Sequence, residues 1–336
     1  MPGTVVVETI DSRALAANTL GDAAVRRVAV WLPPTYGRAI TRHYPVIYWL
    51  AGFAATGESM FHGGAWQPGL GARLDRLVDG GAMGEVIVVA PDGFTRWGGS
   101  QYLDSPVSGG HATHLVRELV PEIDARFRTF ATPAARAIGG KSSGGFGALV
   151  LGMRHPDVFS AVASHAGDCY FELSILPDVP VAARTLRRHG GVEGFLTHFE
   201  HTLTKRADDF TTIMMLACAA AYSPDPGRPR GVALPFDLGT GELDHAVWRR
   251  WKACDPVELV ASHADALRGM TLVYLDAGTR DEHALDLGAR ILAARLRGLG
   301  VRFRHEEFDD GHRGTAYRYD VSLPLLAAAV GAEAPR

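Results

Sequence analysis

At 336 residues the chain is long enough to bury a large core, as one enlarged domain or two small ones. A hydrophobic content of 47%, a charged content of 21% and a formal net charge of −3 fit an ordinary globular protein and give no electrostatic reason to bind nucleic acid or a membrane surface. No apolar run approaches the ~20 residues that span a bilayer. Met1–Asp11 lacks the basic start of a signal peptide, and Cys169, Cys218 and Cys254 are too few and too scattered for a disulfide framework or a thiolate metal site. The expectation is a cytoplasmic enzyme with reduced thiols.

Short apolar, β-branched runs alternate with segments of helical spacing along most of the chain. The strand candidates in order are residues 5–10, Val25–Leu32, Pro45–Leu50, Val86–Ala90, Ala135–Gly139, Ala161–Ser164, Thr271–Leu275 and Val301–Phe308. Helical patterns fall at Leu70–Val78, His114–Phe127, Gly145–Arg154, Ala284–Leu299 and Tyr317–Val330. This alternation predicts a mostly parallel sheet with helices on both faces. Val86–Ala90 is apolar at every position, as a central parallel strand buried on both sides should be. The first two runs alternate more and predict antiparallel strands at an edge. The rhythm breaks between Ser164 and Thr271, where about a hundred residues contain a helical stretch at Ala207–Tyr222 and a Pro/Gly cluster at 223–229 but no clear strand. Residues 168–268 are therefore expected to form a largely helical cap inserted into a single domain, rather than a separate small domain.

Residues Ile138–Leu149 contain Gly140-Lys141-Ser142-Ser143-Gly144, a Gly-x-Ser-x-Gly pattern where an apolar run gives way to a small-residue helix. A strand that reverses into a helix within a few residues holds its serine in a strained turn with the hydroxyl exposed, and glycines two positions either side avoid collisions with neighbouring backbone. Ser142 is preferred over Ser143, which has Lys141 two residues before it. A phosphate-binding loop is excluded because the required earlier glycine is replaced by Ala135.

A serine hydroxyl needs a histidine base oriented by a carboxylate, and in this architecture the chain order is Ser, then Asp or Glu, then His. Among fourteen histidines, His312 lies between Gly311 and Gly314, just past the last strand candidate. His283 opens a helix pattern, His305 lies inside a strand pattern, and His165 is expected to line the pocket or the sheet edge. After the strand at Thr271–Leu275 come three carboxylates. Asp281 lies beyond the turn and can reach an imidazole, Asp276 is at the strand end where turn N–H groups can consume it, and Glu282 suits the N-terminus of the next helix. Asp281 is the preferred acid. The oxyanion needs two backbone N–H donors, assigned to Ser143, after the nucleophile, and Phe53, in the loop following Tyr48–Gly52.

With these parts identified, the chain resembles the esterase D and mycolyltransferase-like branch of the α/β-hydrolases, which includes feruloyl esterases and S-formylglutathione hydrolases. The resemblance runs from about Val28 to Leu326, through Tyr44–Phe53, Ser100–Pro106, Glu118–Asp124, Gly140–Leu149 and Gly311-His312. It implies the α/β-hydrolase fold, Ser142 as nucleophile, Asp281 as acid, His312 as base, Phe53 and Ser143 as oxyanion donors, and no cofactor. Two positions depart from the family pattern: Ala51 and Lys141 stand where histidines are usual.

The function expected is a serine carboxylic-ester hydrolase working through a covalent acyl-enzyme on small acyl or aryl, feruloyl-like esters. Alternatives on the same scaffold are an acyltransferase, an S-formylglutathione-type thioesterase and a non-catalytic binder. The partner is a small-molecule ester, with homo-oligomerisation left open. His198 and His201 form a His-x-x-His, but without an evident third ligand that pattern fits a solvated helix face, and no metal is expected.

Overall fold

The computed structural model describes residues 2–331. Eight strands, β1 (Thr4–Asp11), β2 (Val25–Leu32), β3 (Val46–Leu50), β4 (Ile87–Ala90), β5 (Arg136–Lys141), β6 (Ala161–His165), β7 (Leu272–Gly278) and β8 (Arg304–Phe308), form one sheet in the order β1-β2-β4-β3-β5-β6-β7-β8. β1 and β2 are antiparallel, β2 is antiparallel to β4, and every later pairing is parallel. The first two strands are thus antiparallel as expected, with β2 one place in from the edge.

The central strands are buried on both faces because helices cover both. On one face Val46, Tyr48, Ile87, Ile138, Val162 and Val273 pack with the helix α3 (Ser143–Arg154), which follows α1 (Leu70–Asp79) and α2 (Val120–Arg126) in the chain. On the other, Ile47, Trp49, Val88, Ala137, Ala163 and Tyr274 pack with Leu74 and Leu77 of α1 and with Leu323 and Leu326 near the C-terminus. Side chains alternate across a strand with period two, so Ile47 and Tyr48 serve opposite cores. The helix expected over His114–Phe127 is divided: His114–Leu119 is π-helical and α2 follows, with Pro121 unable to donate a hydrogen bond to the preceding turn. The strand expected from Val301 starts at Arg304.

Between β6 and β7 the chain is mainly helical: α4 (Val179–Arg188), α5 (Val192–His201), α6 (Ala207–Tyr222) and α7 (His245–Lys252). α6 is rich in alanine, and its first turn carries Asp208 and Asp209 near the positive end of the helix dipole. These helices share an apolar cluster with α3. Phe146 of α3 packs against Tyr222 at 5.8 Å between ring centroids, Tyr222 stacks on Phe171 at 5.3 Å, and Trp251 meets the edge of Tyr222 at 5.3 Å. The apolar cluster of the helical region therefore takes in Phe146 and Val150 of α3. After β7 come α8 (Leu285–Gly298) and α9 (Tyr319–Ala329).

Candidate active site

β5 ends at Lys141 and α3 begins at Ser143, so the whole reversal of direction falls on Ser142, whose φ of 57° and ψ of −124° are rarely adopted by a residue with a side chain. The flanking glycines are required by contact. A Cβ on Gly144 would lie 2.2 Å from the Leu50 carbonyl oxygen, and one on Gly140 would lie 2.7 Å from the same oxygen and from Gly144. The Ser142 N–H donates to the His165 carbonyl at 2.9 Å, tying the turn to β6. Ser143 sits in the first turn of α3, where its N–H has no intrahelical acceptor.

His312 and Asp281 lie on loops after β8 and β7. The Asp281 Oδ2 is 2.8 Å from His312 Nδ1, and its Oδ1 accepts the His283 N–H at 2.9 Å. Burial pushes the Asp281 carboxyl up, but the hydrogen bond and charge of His312 outweigh it and hold the group below the usual carboxylate range. The two loops approach so closely that a Cβ on Gly278 would fall 2.3 Å from the Asp310 carbonyl oxygen. Two further side chains hold the His312 backbone: Glu282 Oε2 accepts its N–H at 2.7 Å, and Lys141 Nζ donates to its carbonyl at 2.5 Å. Lys141 thus bridges the residue preceding the elbow to the histidine loop. Its partial burial lowers its pKa, opposed by the charges of Asp281, Asp276, Glu282 and Asp310.

The loop after β3 runs alongside the elbow: a Cβ on Gly52 would be 3.3 Å from the Lys141 carbonyl oxygen and 3.6 Å from Ser142 Cβ. Phe53 follows directly, next to the turn it was assigned to serve. The Ala51 carbonyl accepts the buried Tyr102 hydroxyl at 2.8 Å, and Gln101 and Tyr102 both have positive φ, 54° and 53°. The Phe53 ring meets Phe210 of α6 edge to face at 5.4 Å, so the oxyanion-loop candidate touches the helical region.

The structure corrects several expectations. Asp276 is not consumed by turn N–H groups. It binds His165 Nδ1 at 2.6 Å, and its Oδ2 accepts from the Tyr274 hydroxyl and Arg318 Nε, each at 3.0 Å. His165 does not line a pocket; it is buried, and its Nε2 meets the Ser322 hydroxyl at 2.7 Å. The cause is strand alternation: His165 and Asp276 are paired across β6 and β7 and both point to the α9 side. Glu282 does not support a helix N-terminus, since α8 starts only at Leu285. His283 precedes that helix and meets His312 edge to face at 5.0 Å. Asp168, just beyond β6, went unremarked in the sequence. Burial pushes its carboxyl up to about 6, against the pull of His283. Lys141, Glu282 and Tyr102 were visible only as types in the right neighbourhood; their partners are distant in the chain.

Residues 23–318 match the model of a family described as putative esterase. The chain is 34% identical over 338 residues to Esterase Rv1288 of Mycobacterium tuberculosis, an alignment covering 92% of this chain and 58% of that protein. The chain therefore spans little more than half the length of this curated relative. Among solved structures, a ferulic acid esterase superposes with a TM-score of 0.63 at 22% identity, covering 98% of this chain and 99% of that one. An S-formylglutathione hydrolase from Agrobacterium tumefaciens superposes with a TM-score of 0.59 at 18% identity, covering 98% and 96%. These two likenesses are of fold, and the fold they share is that of the α/β-hydrolases.

Proposed function

The chain belongs to the putative esterase family, as a carboxylic ester hydrolase of α/β-hydrolase fold, and from that premise we propose that it works through Ser142, His312 and Asp281 on small acyl or aryl esters. The observation that carries the reading is the join between the strained serine and the histidine loop: Ser142 holds the elbow, while Lys141 beside it binds the backbone of the histidine that Asp281 orients.

Each step follows from these groups. His312 Nδ1–H donates to Asp281, which leaves Nε2 as the lone-pair nitrogen. Nε2 takes the Ser142 proton as Oγ attacks the acyl carbon. The carbonyl oxygen gains negative charge and is stabilised by the N–H groups of Phe53 and Ser143. Collapse expels the alcohol, which leaves with the proton from His312, and an acyl-serine remains. Water then attacks with His312 again as base, releasing the acid and restoring the serine.

Residues 168–268 act as a cap that selects the ester, a role supported by the contact of Phe210 with Phe53 and by the core shared with α3. Feruloyl-like and small acyl esters are the substrates favoured, and among the described residues no helix is long and apolar enough to cross a membrane.

The test is a fluorophosphonate probe with peptide mapping, followed by rates on p-nitrophenyl acyl esters, feruloyl esters and thioesters. Labelling at Ser142 and its loss in Ser142→Ala are expected. Labelling at Ser143, or unchanged turnover in Ser142→Ala, would reject the triad. Thioesters outpacing every oxygen ester would reject the substrate class alone.

A further inference from the structure

We propose that the helical region holds a divalent transition-metal site, formed by His189, His198 and Asp209 and suited to zinc. The three residues come from different elements: His189 directly follows α4, His198 is in α5, and Asp209 is in the first turn of α6. Their coordinating atoms all lie within 4.8 Å of one another.

The geometry within the cluster fits ligands better than an ion pair. His198 Nε2 lies 3.3 Å from Asp209 Oδ1. A charge-assisted hydrogen bond would be about 2.7–2.9 Å, whereas two ligands at ~2.0–2.2 Å on a tetrahedral zinc are separated by roughly 3.3–3.5 Å. The remaining atoms are held from behind, as metal ligands usually are. His198 Nδ1 is hydrogen-bonded to the Thr202 hydroxyl at 3.1 Å, which leaves Nε2 as the ligand atom. Asp209 Oδ2 accepts the Arg206 N–H at 2.9 Å, which leaves Oδ1. His189 lies flat on His198, with ring centroids 4.0 Å apart and planes 19° apart, so one ring turns out of the stack when both aim an in-plane nitrogen at a shared ion.

The Asp209 carboxylate is buried, 2% exposed, yet it borders a cavity of about 590 Å³ lined also by Arg188, His189, His198 and Thr204. The cavity leaves room for water at the fourth position. Two imidazoles and one carboxylate, with no thiolate, suit zinc, cobalt or nickel; calcium and magnesium prefer all-oxygen shells. The wall is not acidic. Arg188 is tied to Asp208 at 2.8 Å, and Arg206 is close by, so charge alone does not draw in a cation and donor chemistry must supply the selectivity. His201 stands outside the cluster, exposed, with Nδ1 against the Thr197 carbonyl at 2.8 Å. The ion would clamp the start of α6, one residue before the Phe210 that touches Phe53.

Calorimetry on chelator-stripped full chain at neutral pH tests the site. One equivalent of zinc chloride should bind with micromolar or tighter affinity, and magnesium and calcium chlorides should give no binding. Cobalt should bring the visible absorption of a tetrahedral centre. His198→Ala and Asp209→Asn should weaken zinc at least tenfold and abolish the zinc-dependent rise in Tm, while His201→Ala keeps both. If Asp209→Asn fails to fold by circular dichroism, the partly exposed His189→Gln decides the matter. No stoichiometric zinc, equal loss in His201→Ala, or undiminished binding in His198→Ala would overturn the proposal.

Discussion

The proposed Ser142–His312–Asp281 triad at the carboxyl rim of the sheet has a counterpart among the described residues, a Ser–His–Asp grouping enclosed in the core. In the first, Asp281 orients His312 on loops beyond the carboxyl ends of β7 and β8, beside the Ser142 elbow. In the second, Ser322, His165 and Asp276 form an unbroken chain of hydrogen bonds of 2.7 and 2.6 Å, each shorter than the 2.8 Å between His312 and Asp281. Yet Ser322 is 0%, His165 3% and Asp276 2% exposed. Ser322 is an interior residue of α9, and Asp276 is already neutralised by Arg318. Hydrogen-bond geometry alone would favour Ser322 over the proposed nucleophile, Ser142. What separates the two is access: a nucleophile needs an open face, an unspent imidazole nitrogen and amides aimed at the developing oxyanion. A saturated polar network in a core instead fixes the packing of the strands and helix it joins.

The largest contrast should come from the two serines. Ser142→Ala should cut kcat by about 10⁴–10⁶, with the oxyanion hole and binding leaving a residue of catalysis. Ser322→Ala should leave kcat within about threefold but lower Tm, since a buried imidazole nitrogen loses its partner at a cost of about 1–3 kcal/mol. Fluorophosphonate labelling of Ser322 would erase the distinction.

The two acids should then divide activity from stability. Asp281→Asn should lose about 10⁴ in kcat and stay folded, because the amide favours the wrong imidazole tautomer. Asp276→Asn should keep most of its kcat per folded molecule and lose about 3 kcal/mol of stability, as removing one member of a buried ion pair strands the other. Urea melts and steady-state kinetics on both variants separate the outcomes, and the reversed pattern would exchange the roles of the two carboxylates.

Acid should weaken the fold through both pairs. Burial pushes Asp276 up, but His165 and Arg318 prevail, and its folded pKa lies below the usual value, as does that of Asp281. Unfolding therefore takes up protons, so the stability these groups contribute is fully present above the unfolded carboxylate pKa of ~3.9 and is lost as pH falls through the lower folded values. Denaturation midpoints measured from pH 7 down to 3 should fall less steeply in Asp276→Asn than in wild type. Parallel curves would mean that Asp276 does not take part.

The smallest effect tests what joins the serine to the histidine loop. Lys141→Met removes a charged donor to the His312 carbonyl, a bond worth about 1.5–3 kcal/mol, so kcat should fall about tenfold or somewhat more with KM little changed. Glu282→Gln, which keeps an acceptor for the His312 N–H, should be milder. Equal effects of the two on KM alone would place both in binding rather than in loop positioning.

Much of this was legible in local sequence, for reasons that can be named. Gly140, Ser142 and Gly144 announce an elbow because the clash each glycine avoids depends on the tight reversal itself. The pairing of Asp281 with His312 was legible because strand periodicity marks where β7 and β8 end, and the sheet's carboxyl rim is where such loops meet. Asp276, Glu282 and His165 were read wrongly because their partners, at Ser322, His312 and Arg318, arrive from other elements.

The sequence by itself determined the alternation of strands and helices, the strained turn at Ser142 and the chain order of the proposed serine, acid and base, since each depends on spacing within a short stretch of chain. Only the tertiary structure decided which polar groups became enclosed and which stayed open. That distinction set Asp276 apart from Asp281, aimed Lys141 at the His312 carbonyl and gathered His189, His198 and Asp209 from three helical segments. Burial and long-range hydrogen bonding are properties of packed surfaces, and a surface is made by residues far apart in the chain.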